Sequence, residues 1–314
     1  MKKNFFITIL SFILSVVSLT SFESVSAQSI VSLSSIDKNN EIMKENQLLA
    51  TENYRTWVWN TKEVIYDREV FLHNLLKENV NRIYLQINRD ISMHDYRRFV
   101  QSATNHGISV YALEGSPKWL DNNNNRNLLF KKWIKKYQQR ALQSQQFEGI
   151  HLDVEPYLND IWDINQNKAI EKYQNILHQY KFFTERLDIN FDVDIPFWFD
   201  GRFYKSDKYG EGRLSDWVIQ NTDGVTIMAY RNFSEGNNGI IKLVSNELDF
   251  AESINKKVVI GVETKQSGIP YLSFYNSGHE LMYNVFNEVT NHYMNMSSFD
   301  GFAIHSYEGL QALE

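Results

Sequence analysis

The feature that most constrains this chain is an alternation. Eight short apolar runs, each fit for a strand, are separated by amphipathic stretches of helical period. Parallel neighbours cannot be joined by a tight turn, so strand–helix alternation implies a parallel sheet built from crossover units. The spacing predicts strands over residues 56–60, 82–88, 109–114, 149–155, 190–197, 224–230, 257–263 and 300–307. Helices are predicted over 69–78, 93–105, 128–144, 169–187, 214–220, 240–254 and 279–294, with none after the eighth strand. Eight repeats in about 260 residues have the count and size of an α/β single-domain (β/α)8 TIM barrel. Doubly wound sheets also alternate, but no Gly-rich phosphate loop follows the first strand.

The first residues read as a targeting segment. Lys2 and Lys3 precede an apolar run from Phe5 to Leu19, and Val25-Ser26-Ala27 forms a small-residue cleavage signal. The expected organisation is a secretory signal peptide over 1–27, a polar leader over 28–53 and a barrel domain over 54–314. That predicts a secreted, extracellular or cell-wall associated protein with no stable membrane anchor after cleavage. There is no cysteine, so stability must come from core burial. Removing Lys2, Lys3 and Glu23 moves the formal charge from −6 to −7. A mildly acidic chain with no basic block argues against nucleic acid as a partner. Most of the seven Trp and seventeen Tyr are expected in packing, but an excess of Trp also suits stacking on sugar rings.

Chemistry is expected where the strands end. Glu148 to Glu155 reads Glu-Gly-Ile-His-Leu-Asp-Val-Glu, in which His151, Asp153 and Glu155 alternate with Ile150, Leu152 and Val154. Alternate strand residues share a face. Burying unpaired charge is costly, so three ionisable groups on a covered strand ask for a function. The C-terminal strand ends form one mouth of a barrel. The other ends supply Trp57, Trp59 and Asn60, then Gln86 and Asn88, Glu114, Asp194 and Trp198, Tyr230 and Arg231, Glu263, and finally His305, Tyr307 and Glu308. Carboxylates ringed by Trp and Tyr point to a polysaccharide or oligosaccharide substrate, because a carboxyl pair can run glycoside hydrolysis. No cofactor is implied.

The segment 148–155 resembles the Asp-Gly-x-Asp-x-Asp-x-Glu signature of the family 18 glycoside hydrolases, the chitinases and endo-β-N-acetylglucosaminidases. Met228-Ala229-Tyr230-Arg231 is similar to that family's Met-x-Tyr-Asp. The resemblance implies that Glu155 is the general acid. It implies that Asp153 holds a substrate acetamido group which itself attacks the anomeric carbon, and that Tyr230 hydrogen-bonds that group. His151 stands where the family has an aspartate, Arg231 where it has another, and no eighth-strand tryptophan is evident; the nearest residues are His305 and Tyr307. Trp59, Glu114, His151, Trp198, Arg231, Glu263, His305 and Tyr307 are the expected substrate contacts.

Other readings remain open at this level. Asp153-Val154-Glu155-Pro156 also looks like the strand-four Asn-Glu-Pro of retaining barrel glycosidases, with Glu155 as acid/base and Glu263 as nucleophile. A non-catalytic glycan-binding barrel would keep Trp59, Trp198 and Tyr307 as stacking surfaces. His151, Asp153 and Glu155 are also a possible metal set, although too few histidines converge to make metal the expectation. Taken alone, His151 is expected to bond Asp153 inside the barrel.

Overall fold

The computed structural model describes residues 54–313; the segments read above as signal peptide and leader lie outside them. Eight parallel strands close in the order β1-β10-β9-β8-β5-β4-β3-β2. They are β1 (Tyr54–Val58), β2 (Val80–Gln86), β3 (Ser109–Glu114), β4 (Gly149–Leu152), β5 (Asn190–Pro196), β8 (Gly224–Met228), β9 (Lys257–Glu263) and β10 (Phe299–His305). A small antiparallel hairpin, β6 (Phe203–Ser206) and β7 (Gly210–Arg213), interrupts the fifth crossover.

Seven helices cover the sheet: α1 (Arg68–Lys77), α2 (Met93–Asn105), α3 (Arg126–Gln138), α4 (Gln166–Glu185), α5 (Leu214–Asn221), α6 (Ile240–Ser253) and α7 (Gly278–Tyr293). Their local logic is clear in α2. The Ser92 hydroxyl accepts from the Asp95 backbone N–H at its start, and Tyr96, Phe99, Val100 and Ala103 form the buried stripe. The eighth strand is followed by a short helix, Tyr307–Leu310, which corrects the expectation of none. The core between helices and sheet is apolar. Within the barrel a second cluster is largely aromatic, comprising Trp57, Tyr84, Tyr111, Leu113, Val259 and Ala303.

Inward positions step up the barrel two residues at a time. Arg55, Trp57 and Trp59 climb β1, Arg82 and Tyr84 climb β2, and Asp192 and Asp194 climb β5. The floor is charged: Arg55 binds the Asp300 carboxylate and carbonyl, Arg82 reaches Asp192 at 3.5 Å, and its guanidinium lies 4.5 Å over Tyr111. Beside that floor, a hollow of about 640 Å³ opens at the N-terminal strand ends, lined in part by Ser109, Glu148, Asp188 and Asn190. The middle tier is aromatic and the top tier is the mouth.

Candidate active site

At the mouth, β4 stops at Leu152, and Asp153 and Glu155 continue beyond it. Asp153 is held there by a backbone bond from its N–H to Glu114 O, 3.2 Å. That approach requires Gly115, because a Cβ at residue 115 would lie 1.8 Å from the Asp153 carbonyl oxygen. Pairing of Leu152 with Val193 puts Asp194 of β5 level with Asp153.

Glu155 departs from the strand pattern. Its backbone is left-handed, φ 49° and ψ 63°, immediately before Pro156. A residue before proline is normally extended, and a non-glycine left-handed residue costs on the order of 1–3 kcal/mol. The bend brings the Tyr157 hydroxyl onto Glu155 Oε1, to which it donates. Burial first, then the neighbouring Glu155, pushes the Tyr157 phenol well above its usual range, so it stays a donor. Tyr157 is in turn braced edge-on by Trp198, ring centroids 5.0 Å apart.

Among the described residues no Lys or Arg lies within ion-pair distance of Asp153 or Asp194. Burial, then Asp194, then Glu155 raises the Asp153 carboxyl well above the ordinary carboxylate range. Burial also raises Asp194, against a 3.0 Å bond from Trp57 Nε1. Neighbouring carboxylates cannot all ionise in a dry site, so this group retains a proton where isolated acids would have lost it. His151 does not supply the missing charge. It lies between Tyr84, stacked at 3.6 Å, and Asp194 Oδ1, 2.8 Å from Nε2 without hydrogen-bond alignment. Burial pushes its imidazole down to about 3, so it is neutral. The expected His151–Asp153 bond is thus replaced by contact with Asp194, because the neighbouring strand fills that side of the ring. Among the described residues Asp153 Oδ1 is buried and has no partner.

Tyr230 completes the cluster. Burial first, then the charges of Asp194, Glu263, Asp153 and Glu155, pushes its hydroxyl well above the usual tyrosine range, so it stays protonated. Its ring stacks on His305 at 5.9 Å. The His305 side chain links two further mouth residues. Its Nε2 accepts from Trp59 Nε1 at 3.1 Å, which leaves Nδ1 to donate to Glu263 Oε2 at 2.9 Å. Glu263 Oε1 accepts from the Thr264 and Lys265 backbone N–H groups, 2.8 and 2.7 Å. Glu114 is paired with Arg89 at 3.0 Å; burial, the dominant influence, raises its carboxyl.

Two expected contacts lie elsewhere. Tyr307 packs edge-on against Phe71 of α1 at 4.6 Å and receives a 3.3 Å bond from Asn74 Nδ2. The strand has already ended at His305, so Tyr307 points to the helical layer. Arg231 donates to the Tyr230 carbonyl and to Asn238 Oδ1, both at 2.7 Å, and its guanidinium lies over Phe197 and Tyr271. It ties loops together behind Tyr230. Asp194 and Tyr157 join the cluster without having been singled out as site residues. Asp194 was visible as a strand-end carboxylate, whereas nothing in the sequence announces the Tyr157 bond.

Comparison with solved structures places the chain among barrels of this kind. A chitinase from Bacteroides thetaiotaomicron matches with a TM-score of 0.51 at 10% identity, over 82% of this chain and 90% of that one. A Toxoplasma gondii protein assigned as a deoxyribose-phosphate aldolase matches with a TM-score of 0.50 at 9% identity, over 86% and 96%. A D-psicose 3-epimerase from Clostridium cellulolyticum gives 0.49 at 10% identity, over 81% and 84%. Likeness at such identity establishes the fold alone. No family model matches the sequence. No curated protein matches it either.

Proposed function

We propose that the chain is a secreted glycoside hydrolase that cleaves a glycosidic bond in an extracellular or cell-wall polysaccharide, with Glu155 as general acid. The observation that carries the reading is the placement of Glu155. It is held in a strained left-handed turn at the barrel mouth, oriented by Tyr157, one residue removed from a buried carboxyl pair. Strain of that kind persists where the surroundings enforce it and is concentrated at functional sites.

In this reading Glu155 donates its proton to the leaving glycosidic oxygen. Asp153, with its unpartnered Oδ1, accepts from the N–H of a substrate acetamido group whose oxygen attacks the anomeric carbon, and Tyr230 donates to that oxygen. Asp194 supplies from β5 a second acid, level with Asp153, that His151 does not provide, and Asp153 Oδ1, without a partner among the described residues, is free to take up the substrate. Glu263 is spoken for by two backbone N–H groups and His305, which suits a scaffold for the mouth better than a free nucleophile.

The test is a glycan-library digest read by mass spectrometry. Glu155→Gln should lose on the order of 10²- to 10⁴-fold in turnover with an unchanged circular dichroism spectrum. Glu263→Ala should lose far less and trap no covalent glycosyl-enzyme. Near-normal activity of Glu155→Gln would overturn the acid assignment. A fluorosugar captured on Glu263 would replace the substrate-assisted reading with double displacement.

A further inference from the structure

The acidic net charge conceals a local reversal, which corrects the reading of a chain with no basic block. Between Arg126 and Arg140 the chain carries six Lys and Arg residues and no carboxylate, in a protein whose formal charge is −6. Most of this stretch is α3, and the cations lie on the outside of the barrel. Leu128, Lys131, Lys132 and Lys135 recur at i, i+3, i+4 and i+7, so they form one stripe along α3. On the neighbouring α4 and its C-cap, Gln179, Phe182, Phe183 and Arg186 repeat the same spacing. The two stripes face each other across an open groove of about 460 Å³.

The groove is apolar at its base and cationic at its rim. Leu128 is 49% and Phe182 46% exposed, with Leu129 beside them at 41%. Lys131 is steadied by a 3.0 Å bond to Gln179 Oε1 and by the Tyr180 ring, 5.1 Å from its ammonium. Among the described residues none of Lys131, Lys132, Lys135 and Arg186 is within ion-pair distance of a carboxylate. Glu185, next to Arg186, lines the hollow at the barrel floor instead. Exposed leucine and phenylalanine between unpaired cations leave an apolar strip in water that hydrated charges flank but do not cover. They are also more than a hydrophilic polyanion needs, since such a partner would leave the apolar chains uncovered.

We infer that this face docks on an anionic lipid surface. Lysine and arginine heads would sit among the headgroup phosphates while their stems and the Leu128, Leu129 and Phe182 side chains enter the interface, the division of labour that amphipathic surface helices use. The α3–α4 face is on the flank of the barrel, so the mouth that holds Glu155 stays open when the protein is docked. The inference is independent of the proposed chemistry.

The test is co-sedimentation of the full chain with vesicles of phosphatidylcholine, with and without about one-third phosphatidylglycerol, at about 0.1 M salt. The apolar run near the N-terminus favours both vesicles alike, so the readout is the ratio of the two partition coefficients. The wild type should prefer the anionic vesicle by on the order of a hundredfold, and Lys131→Glu/Lys132→Glu/Lys135→Glu should abolish the preference. Leu128→Ser/Phe182→Ser should keep part of the preference yet bind several-fold more weakly when salt screens the charges. Circular dichroism of each variant establishes that it is folded. Equal binding of both vesicles by the wild type, or a preference that survives charge reversal, would overturn the inference. Tight binding to soluble polyphosphate that ignores Leu128→Ser/Phe182→Ser would also overturn it, and would identify a polyanion site.

Discussion

At the scale of single residues, the carboxyls of the mouth tie stability to pH. Asp194 shows this most directly. Its carboxyl, like that of Asp153, is raised above the ordinary carboxylate range in the folded protein by burial and by its neighbours. A raised folded value contributes stability that is present at low pH and is lost as pH rises past the unfolded value. Asp194→Asn should therefore unfold at a higher temperature than wild type at neutral pH, with the advantage shrinking toward pH 4. Asparagine still accepts from Trp57 Nε1 but does not titrate beside Asp153, so in the proposed reaction kcat should fall by about a hundredfold while KM changes little. Calorimetry across pH beside steady-state kinetics checks both; a less stable, fully active variant would refute the coupled pair. That Asp153, Glu155 and Tyr230 lie at the ends of strands was legible, because spacing along a strand is local. The sequence could not show that Asp194 lies level with Asp153, which depends on the β4–β5 register, nor that Glu155 turns left-handed, which its residue type disfavours.

At the scale of elements, periodicity was a sound guide where one face is buried. β3, β9 and α2 begin and end where the pattern places them. The β6–β7 hairpin escaped because its strands are mostly exposed, so they carry little apolar alternation to read. A different surprise is Glu247 on α6. It is fully buried, neither carboxylate oxygen has a hydrogen-bond partner among the described residues, and burial, reinforced by Asp200, pushes its pKa up to about 9. The helix is thus packed with a neutral acid. Because the folded value is raised, the unfolded chain releases this proton first, and stability drains away from about pH 4.5 toward pH 9. Glu247→Gln does not titrate. Its stability relative to wild type should therefore grow across that window by on the order of several kcal/mol. Urea midpoints at pH 5 and pH 8.5 decide it, and a constant difference would show that Glu247 is ionised in the fold.

At the scale of the whole molecule, closure joins the first strand to the last, and Arg55 and Asp300 fasten that seam at the floor. Arg55→Ala removes two charge-assisted bonds from a half-buried carboxylate and its backbone. It should cost about 1–3 kcal/mol, seen as a lower urea midpoint with an unchanged slope, and leave turnover intact. A loss of activity at unchanged stability would mean that floor and mouth communicate. The barrel keeps them apart: the aromatic tier of Trp57, Tyr84 and Tyr111 stands between the charged floor and the carboxylates above. The 640 Å³ hollow beside the floor lies on the far side of that tier. A compound library ranked by melting temperature would therefore be blind to mechanism here. Hits seated in the hollow would protect the protein from heat without touching the mouth, so if the proposed hydrolysis takes place there, its inhibitors must be sought by rate and not by thermal shift.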